Sequence, residues 1–458
     1  VSDELTISGG ETTSVATDEL YSTAVQLELL TREASALRSS ISAIDDVLTR
    51  SRIGDASRSA LQAETDLDRA AMFLMQVEVQ SRFFAFAVSS AADGYTAVEL
   101  MARRLVGGAI DEVGGVVGSL APVLAPAALA GAAGFALTGD QGRNQLLSQP
   151  AVVAGIRAAV MGADDALLAR SGVPRPVAAA LGDQGLGVTG VPLAAAALGA
   201  VGRSMGMLEE TPTRVTRAQT LPLAGIASPS SFAERADRVP EPGALDGAQV
   251  VIEKYEMPDG QVRAEVFIAG TVDFDPLAEG EPWDMASNVS NAIGSGSGSY
   301  DSVVAAMREA GLTADTPVQL TGYSQGGGTA AQLAASGQFD VRGLVTFGGP
   351  TGQVPIPESV PTVIVEHSDD LVAALGGAQE NDHAIVVSRW ATEGQDFAGA
   401  ELLPGHQLTA YRETSALMDL SSDPALATAS ERIHDFSSGG VLVSRVAYEC
   451  DRVSGGRS

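Results

Sequence analysis

Thr321-Gly-Tyr-Ser-Gln-Gly-Gly327 is the stretch whose reading decides the fold. An extended run, Pro317-Val-Gln-Leu320, leads into it, and a run of small helix formers, Gly328-Thr-Ala-Ala-Gln-Leu-Ala-Ala335, leads out. A strand that turns sharply into a helix at a serine is the setting of a nucleophile elbow. The turn crowds the backbone, so the serine needs glycine or something nearly as small on its flanks. It also lifts the hydroxyl clear of the sheet, which makes Ser324 a candidate nucleophile.

The pattern Gly-x-Ser-x-Gly is weak without that context. Glycine supplies 51 of 458 residues, so about half a match is expected by chance, and a second copy does occur, Gly202-Arg-Ser-Met-Gly206. It follows an Ala-rich stretch, has no β-rich run before it and is read as a coincidence.

Working outward, residues 247–458 are expected to form an α/β domain. Gln249-Val-Val-Ile-Glu-Lys-Tyr-Glu256 and Gln261-Val-Arg-Ala-Glu-Val-Phe-Ile268, joined across Pro258-Asp-Gly260, read as a hairpin. Strands are expected at 317–321, 341–347, 361–366 and 384–389, and helices at 299–311, 325–336 and 405–419. Such alternation predicts a mostly parallel sheet covered on both faces. Gly294-Ser-Gly-Ser-Gly-Ser299 reads as a flexible loop or the flank of a lid.

The front of the chain reads differently. Residues 1–15 are polar and expected to be a mobile tail. Within 1–104, apolar residues recur at three- and four-residue steps through Leu20, Leu27, Leu30, Leu37, Ile41, Ile44 and Leu48, and again from Leu61 to Phe83. This predicts an antiparallel helical hairpin with its turn near Arg52-Ile-Gly54. Residues 105–207 are rich in Ala and Gly. Val113 to Gly139 carries no charge, but its Pro122 and Pro126 and its small residues favour close-packed helices over a membrane span. Membrane contact through this region is the alternative. Residues 208–246, rich in Pro, Thr, Ser and Arg, read as a linker.

The formal net charge is −29 and Lys254 is the only lysine. That excludes a basic stripe for nucleic acid and argues against electrostatic docking on anionic lipid. The lone cysteine, Cys450, allows no intrachain disulfide. Val1-Ser-Asp-Glu-Leu5 lacks the basic start and apolar core of a secretory leader.

A serine nucleophile needs a base, usually His, oriented by a carboxylate. In the elbow context the chain order is Ser, acid, His. The four histidines, His367, His383, His406 and His434, all follow Ser324. His406, opening a helix after Leu403-Pro-Gly405, is the favoured base, and His383 is the alternative. His434, in a polar segment, is expected to be exposed. The acid should follow a strand end, where catalytic groups collect in open α/β sheets. Asp369 is favoured and Asp370 is the alternative, with a helix N-cap as the other job for this pair. An oxyanion hole needs two backbone amides. Gln325, after the nucleophile, and Thr271, after the run Phe267-Ile-Ala-Gly270, are the candidates. No metal or cofactor is expected.

Residues 250–420 resemble the class 3 lipases, a branch of the α/β-hydrolases. Phe267-Ile-Ala-Gly-Thr271 with Asp273 and Trp283-Asp284 resembles the family's oxyanion block. Gly322-Tyr-Ser-Gln-Gly326 and Val345-Thr-Phe-Gly-Gly-Pro350 resemble its elbow and following strand, Val365-Glu-His-Ser-Asp369 its acid loop, and His406 its histidine block. The chain departs from the family at Tyr323, where His is usual, and at Glu366, where Asn is usual. Tyr-Ser-Gln-Gly also occurs in cutinase-like esterases. The resemblance implies a lipase or esterase acting on a lipid or other acyl ester, with a phospholipase effector and a non-catalytic binding module as alternatives. The helical front, with Tyr95-Thr-Ala-Val-Glu99 behind it, resembles type VII secretion substrates, although its turn lacks their Trp. That likeness implies a secreted or cell-envelope protein with a helical secretion partner or chaperone; a cytoplasmic protein is the alternative.

Overall fold

The computed structural model describes residues 5–8, 17–50, 67, 69–75, 77, 144, 147–150, 153, 154, 157, 191–204, 207–275, 277, 280–294, 296–395 and 402–453. The chain divides into two compact units, one built from residues 1–13 and 110–458 and the other from 14–109.

In the smaller unit, helix α1 (Thr17–Arg50) ends where the Arg50-Ser-Arg-Ile-Gly54 break is expected, and residues 67, 69–75 and 77 are also helical. On α1 the face of Thr31 and Ala34 is buried, while Leu30, Leu37 and Ile44 are exposed. The turn at 52–54, the Tyr95–Glu99 motif and the apolar stretch 113–139 lie outside the described residues. No helix among the described residues is long and apolar enough to cross a membrane.

The larger unit is α/β. Its sheet holds β1 (Thr6–Ser8), β2 (Thr213–Thr220), β3 (Val250–Glu256), β4 (Val262–Ile268), β5 (Pro317–Tyr323), β6 (Asp340–Phe347), β7 (Thr362–His367), β8 (Ile385–Arg389) and β9 (Val441–Arg452), in the order β1-β8-β7-β6-β5-β4-β3-β9-β2. From β4 to β8 neighbouring strands run parallel. Both flanks are antiparallel: β3, β9 and β2 on one side and β1 on the other. The hairpin expected around Pro258 is β3–β4, in register from Val250↔Ile268 to Glu256↔Val262.

The central strands read as apolar runs because both faces are covered. Val318 and Leu320 of β5 and Leu344 of β6 enter one core with Val303 and Met307 of helix α5 (Gly298–Glu309) and Ala330 and Leu333 of α6 (Gln325–Ser336). Val345, Phe347, Val363 and Val365 point the other way, into a core with Leu408, Tyr411 and Met418 of α8 (Leu408–Asp419). Period-two alternation thus feeds two helical layers.

Three expectations need correction. The expected tail at 1–15 contributes β1, in register with β8 through Ile7↔Val387. The expected linker at 208–246 contributes edge strand β2 and helix α3 (Phe232–Arg238), because Val215 packs on one core and Phe232 fills the other. The described residues of zone 105–207 are not a body separate from 247–458 either. Helix α2 (Val191–Ser204) packs on α4 (Met285–Ile293), Arg157 makes a two-pronged ion pair with Glu366 at 3.0 and 3.1 Å, and Asn144 accepts the Leu403 amide. Ser204 is the last residue of α2, so a helix and not a strand leads into it. The glycine-serine stretch is a short connection. Gly294 caps α4, and Ser297, buried, caps α5 by accepting the Tyr300 amide.

One polar device crosses the second core. Arg235 of α3 and Glu265 of β4, both fully buried, pair at 2.8 Å, and Ser437 donates to the same carboxylate at 2.6 Å. Removing one partner of such a pair strands the other charge. Arg235→Met is expected to lower the unfolding free energy by about 3–5 kcal/mol in urea titrations. The Arg235→Met/Glu265→Leu double variant should recover part of that loss, whereas equal losses in both would mean the pair is not held as described.

Candidate active site

The elbow forms at the expected place. Ser324 sits between β5 and α6 with φ 54° and ψ −122°, a region that side chains other than glycine rarely occupy. Its amide donates to the Phe347 carbonyl at 2.8 Å and its carbonyl accepts the Gly327 amide at 2.9 Å, so the turn is bonded on both sides. The glycines answer to distance. A Cβ on Gly322 would lie 2.2 Å from the Gly326 carbonyl oxygen, and one on Gly326 would lie 2.3 Å from that of Ala269. Helix α6 therefore begins pressed against the end of β4.

His406 arrives on a 3-10 turn, Pro404–His406, whose entry residue Leu403 has φ 55°. Its Nε2 lies 2.8 Å from Ser324 Oγ and its Nδ1 lies 2.7 Å from Asp370 Oδ2. The carboxylate can only accept, so Nδ1 carries the proton and Nε2 is left to accept the serine hydroxyl. Ser324 is 3% exposed, His406 8% and Asp370 0%. Of the two candidate histidines, His406 is the one beside Ser324. His383, the alternative, stands before β8, makes no hydrogen bond with Ser324 or Asp370, and leaves its Nε2 without a partner.

Of the two carboxylates, Asp370 and not the favoured Asp369 faces His406. Asp369 turns away from His406: its carboxylate accepts the Ala391 and Thr392 amides at 3.0 Å each and the Thr392 hydroxyl at 2.6 Å. It ties the acid loop to the loop after β8. Asp370 makes both contacts that the sequence divided between the pair. Its Oδ1 caps helix α7 (Leu371–Ala374) by accepting the Val372 amide at 2.8 Å, while Oδ2 faces His406. Burial raises the pKa of Asp370, but the His406 charge and the hydrogen bonds from His406 and Tyr411 outweigh it and hold the carboxyl below its ordinary value.

Tyrosines and a second histidine complete the surroundings. Tyr323 stacks on the His406 ring, with centroids 5.3 Å apart, and donates to the His406 carbonyl at 2.6 Å. Tyr411 donates to Asp370 Oδ2 at 2.6 Å and stacks on His367 at 3.9 Å. Burial raises the Tyr411 pKa well above its usual value, so its proton stays on. Burial pushes His367 down, against the pull of Asp370 and Asp369. His434 is half-buried, not exposed. It packs edge-on to Phe232 beside Arg235, and burial lowers its pKa to about 4.

The segments that carry the two candidate oxyanion amides run side by side, since a Cβ on Gly326 would meet the carbonyls of Ala269 and Ile268. Gln325 opens α6, where first-turn amides lack intrahelical acceptors, and its side chain is held by the Asp284 carbonyl and Ser299. Thr271 follows β4. A Cβ on the preceding Gly270 would lie 3.1 Å from the Ser324 Cβ and 2.7 Å from the Tyr323 ring, so this loop runs directly beside the elbow. Trp283, fully buried, fixes it by donating to the Ala269 carbonyl at 3.1 Å and accepting the Val272 and Asp273 amides. A cavity of about 420 Å³ lies elsewhere, on the outer side of α6 between Gln332, Pro350 and Gly376, and includes neither Ser324 nor His406.

Chemically, this is a hydroxyl in contact with an imidazole whose tautomer a buried carboxylate fixes, with the start of α6 and the Thr271 loop beside it. No family model, no curated protein and no solved structure matches the chain.

The support of the Thr271 loop carries a pH signature. Glu281 accepts the Trp283 amide at 2.8 Å and both of its oxygens accept from Gln249 Nε2, and burial raises its pKa from 4.5 to about 7. The folded chain therefore holds a proton that the unfolded chain releases above about 4.5. Stability from this group is complete below that pH and is lost as the pH rises through about 7. The urea midpoint should fall between about pH 5 and pH 8, and Glu281→Gln should remove that part of the fall. An unchanged pH slope in the variant would show that Glu281 is ionised across the range.

Proposed function

We propose that the protein is a serine hydrolase of the α/β-hydrolase kind that cleaves carboxylic esters, with the class 3 lipases as the family it resembles. The observation that carries this reading is the continuous chain Ser324 Oγ to His406 Nε2 and His406 Nδ1 to Asp370 Oδ2, with both links under 3 Å. The elbow backbone at Ser324, one of five non-glycine residues with positive φ among those described, supports it, since backbone strain collects at functional sites.

In the proposed reaction Ser324 Oγ attacks the acyl carbon while its proton passes to His406 Nε2. Asp370 stabilises the imidazolium that forms. The Gln325 and Thr271 amides hold the oxyanion in the tetrahedral intermediate. His406 returns the proton to the leaving alkoxide, which gives an acyl-Ser324 ester and a free alcohol. A water, deprotonated by His406, then attacks the acyl carbon and releases the acid with the serine restored. The net charge of −29 favours an uncharged acyl ester over an anionic lipid surface.

Two pairs of variants test the reading on a short-chain nitrophenyl ester. Ser324→Ala is expected to lower turnover by at least about 10⁴-fold without unfolding the chain. Asp370→Asn should lose about 10⁴-fold, while Asp369→Asn, which loosens only the loop at 391–392, should lose under about 10²-fold. Retained turnover in Ser324→Ala would remove the serine from the reaction, and a larger loss at Asp369 than at Asp370 would reverse the assignment of the acid.

A further inference from the structure

His367 is wholly buried, ends β7 and touches neither the candidate nucleophile nor its base. It nevertheless bonds to the segments that carry Asp370 and His406 and to the helix behind them. Its Nδ1 lies 2.6 Å from the Gly405 carbonyl, one residue before His406. A carbonyl only accepts, so this nitrogen carries the proton. Its Nε2 lies 2.8 Å from Thr414 Oγ1 on α8, and in the neutral ring it accepts that hydroxyl in preference to the Ala410 carbonyl, 3.1 Å from the same oxygen. Its own carbonyl accepts the Asp370 amide at 3.0 Å, and its amide donates to Tyr411 Oη at 3.2 Å.

That last bond settles the direction of the tyrosine proton. Tyr411 Oη accepts from the His367 amide and has one proton, which goes to Asp370 Oδ2 at 2.6 Å. The His367 ring, stacked on Tyr411 at 3.9 Å and 9°, holds the tyrosine at the place where that donation works. Gly348 leaves no slack on the Tyr411 ring, since a Cβ there would meet it at 2.8 Å. The base loop is equally tight. A Cβ on Gly405 would lie 2.9 Å from both the Asp369 carbonyl and its carboxylate. One side chain therefore joins the strand that presents the acid, the turn that presents the base and the helix that backs them both.

We propose that His367 is a positioning residue, which sets the reach of His406 and the orientation of Asp370 by clamping the Gly405 carbonyl and the Tyr411 ring. This rests on the hydrolase reading for its kinetic test but not for its spectroscopic one. His367 does not exchange protons with substrate. Its proton on Nδ1 is spent on Gly405, and Thr414, itself approached by Arg389 at 3.3 Å, closes the other nitrogen.

The test compares His367→Asn, His367→Gln and His367→Leu. The Asn amide nitrogen falls near the position of Nδ1 and the Gln amide near that of Nε2. His367→Leu is expected to lower kcat on the nitrophenyl ester by about 10²-fold, the scale of a displacement of about 1 Å in a catalytic group, with KM within about twofold. His367→Asn should recover at least about tenfold of that kcat and His367→Gln should not. If the Leu variant does not fold, the Asn and Gln pair decides alone; equal rates in the two overturn the proposal, as does an unchanged kcat in a folded Leu variant. In parallel, proton NMR should show a low-field Nδ1–H resonance in the wild type, assigned by its loss in His406→Gln. It should weaken or shift in His367→Gln and persist in His367→Asn. If the wild type shows that resonance but cleaves no ester, the hydrolase reading fails and the positioning role is judged on the resonance. A resonance insensitive to every substitution at 367 overturns it.

Discussion

A serine held at φ 54° and ψ −122° stands where L-residues sit only when their surroundings force them, at a cost on the order of 1–3 kcal/mol. The surroundings here are backbone, not flexible side chains. Gly322 and Gly326 let the elbow fold onto itself and onto the end of β4, and Gly270 lets the next loop run beside the serine. The parallel block β4 to β8 supplies the rigid frame, and each group of the site leaves that frame at the C-terminal end of a strand or on the loops that follow. Bringing α6 closer to β4 than any Cβ would allow is what places the Gln325 amide, the Thr271 loop and the Ser324 hydroxyl together.

The acid loop shows how neighbouring residues of one type take different work. Asp369 and Asp370 are both buried, and each carboxylate is fully engaged. Asp369 spends its oxygens on two amides and a hydroxyl across the gap to β8, which stiffens the loop. Asp370 divides its oxygens between a helix cap and the imidazole. Tyr323 and Tyr411 press on the histidine and the acid from opposite elements, and His367 ties Tyr411 to the turn that carries His406. A buried polar group without a partner is costly, so this network is stable only as a whole, and that coupling is what gives the histidine a single position.

Much of this was legible in the chain. The β3–β4 hairpin, the strand ranges from β5 to β8, the elbow at Ser324, the choice of His406 as the histidine beside it and the close approach of the Thr271 loop all follow from local pattern and turn chemistry. The edges of the sheet were not. β1 is three residues in a polar segment, and β2 reads Thr-Arg-Val-Thr-Arg-Ala-Gln-Thr, an exposed edge whose polarity imitates a linker. β9 follows a glycine pair after a helix and pairs with β3 and β2, strands that lie far earlier in the chain, a partnership that no local signal announces. The choice between Asp369 and Asp370 turned on side-chain direction at a strand end, which a one-residue shift reverses. The His367–Tyr411 clasp spans 44 residues and exists only in three dimensions.

The central claim is that the Ser324 hydroxyl is activated by His406. The most direct measurement is labelling of the intact protein with a fluorophosphonate probe, followed by mass-spectrometric mapping of the modified peptide, with the His406→Gln variant treated in parallel. The account predicts one adduct, on Ser324, in the wild type and almost none in the variant. An adduct on another serine, or labelling of Ser324 that does not depend on His406, would contradict it.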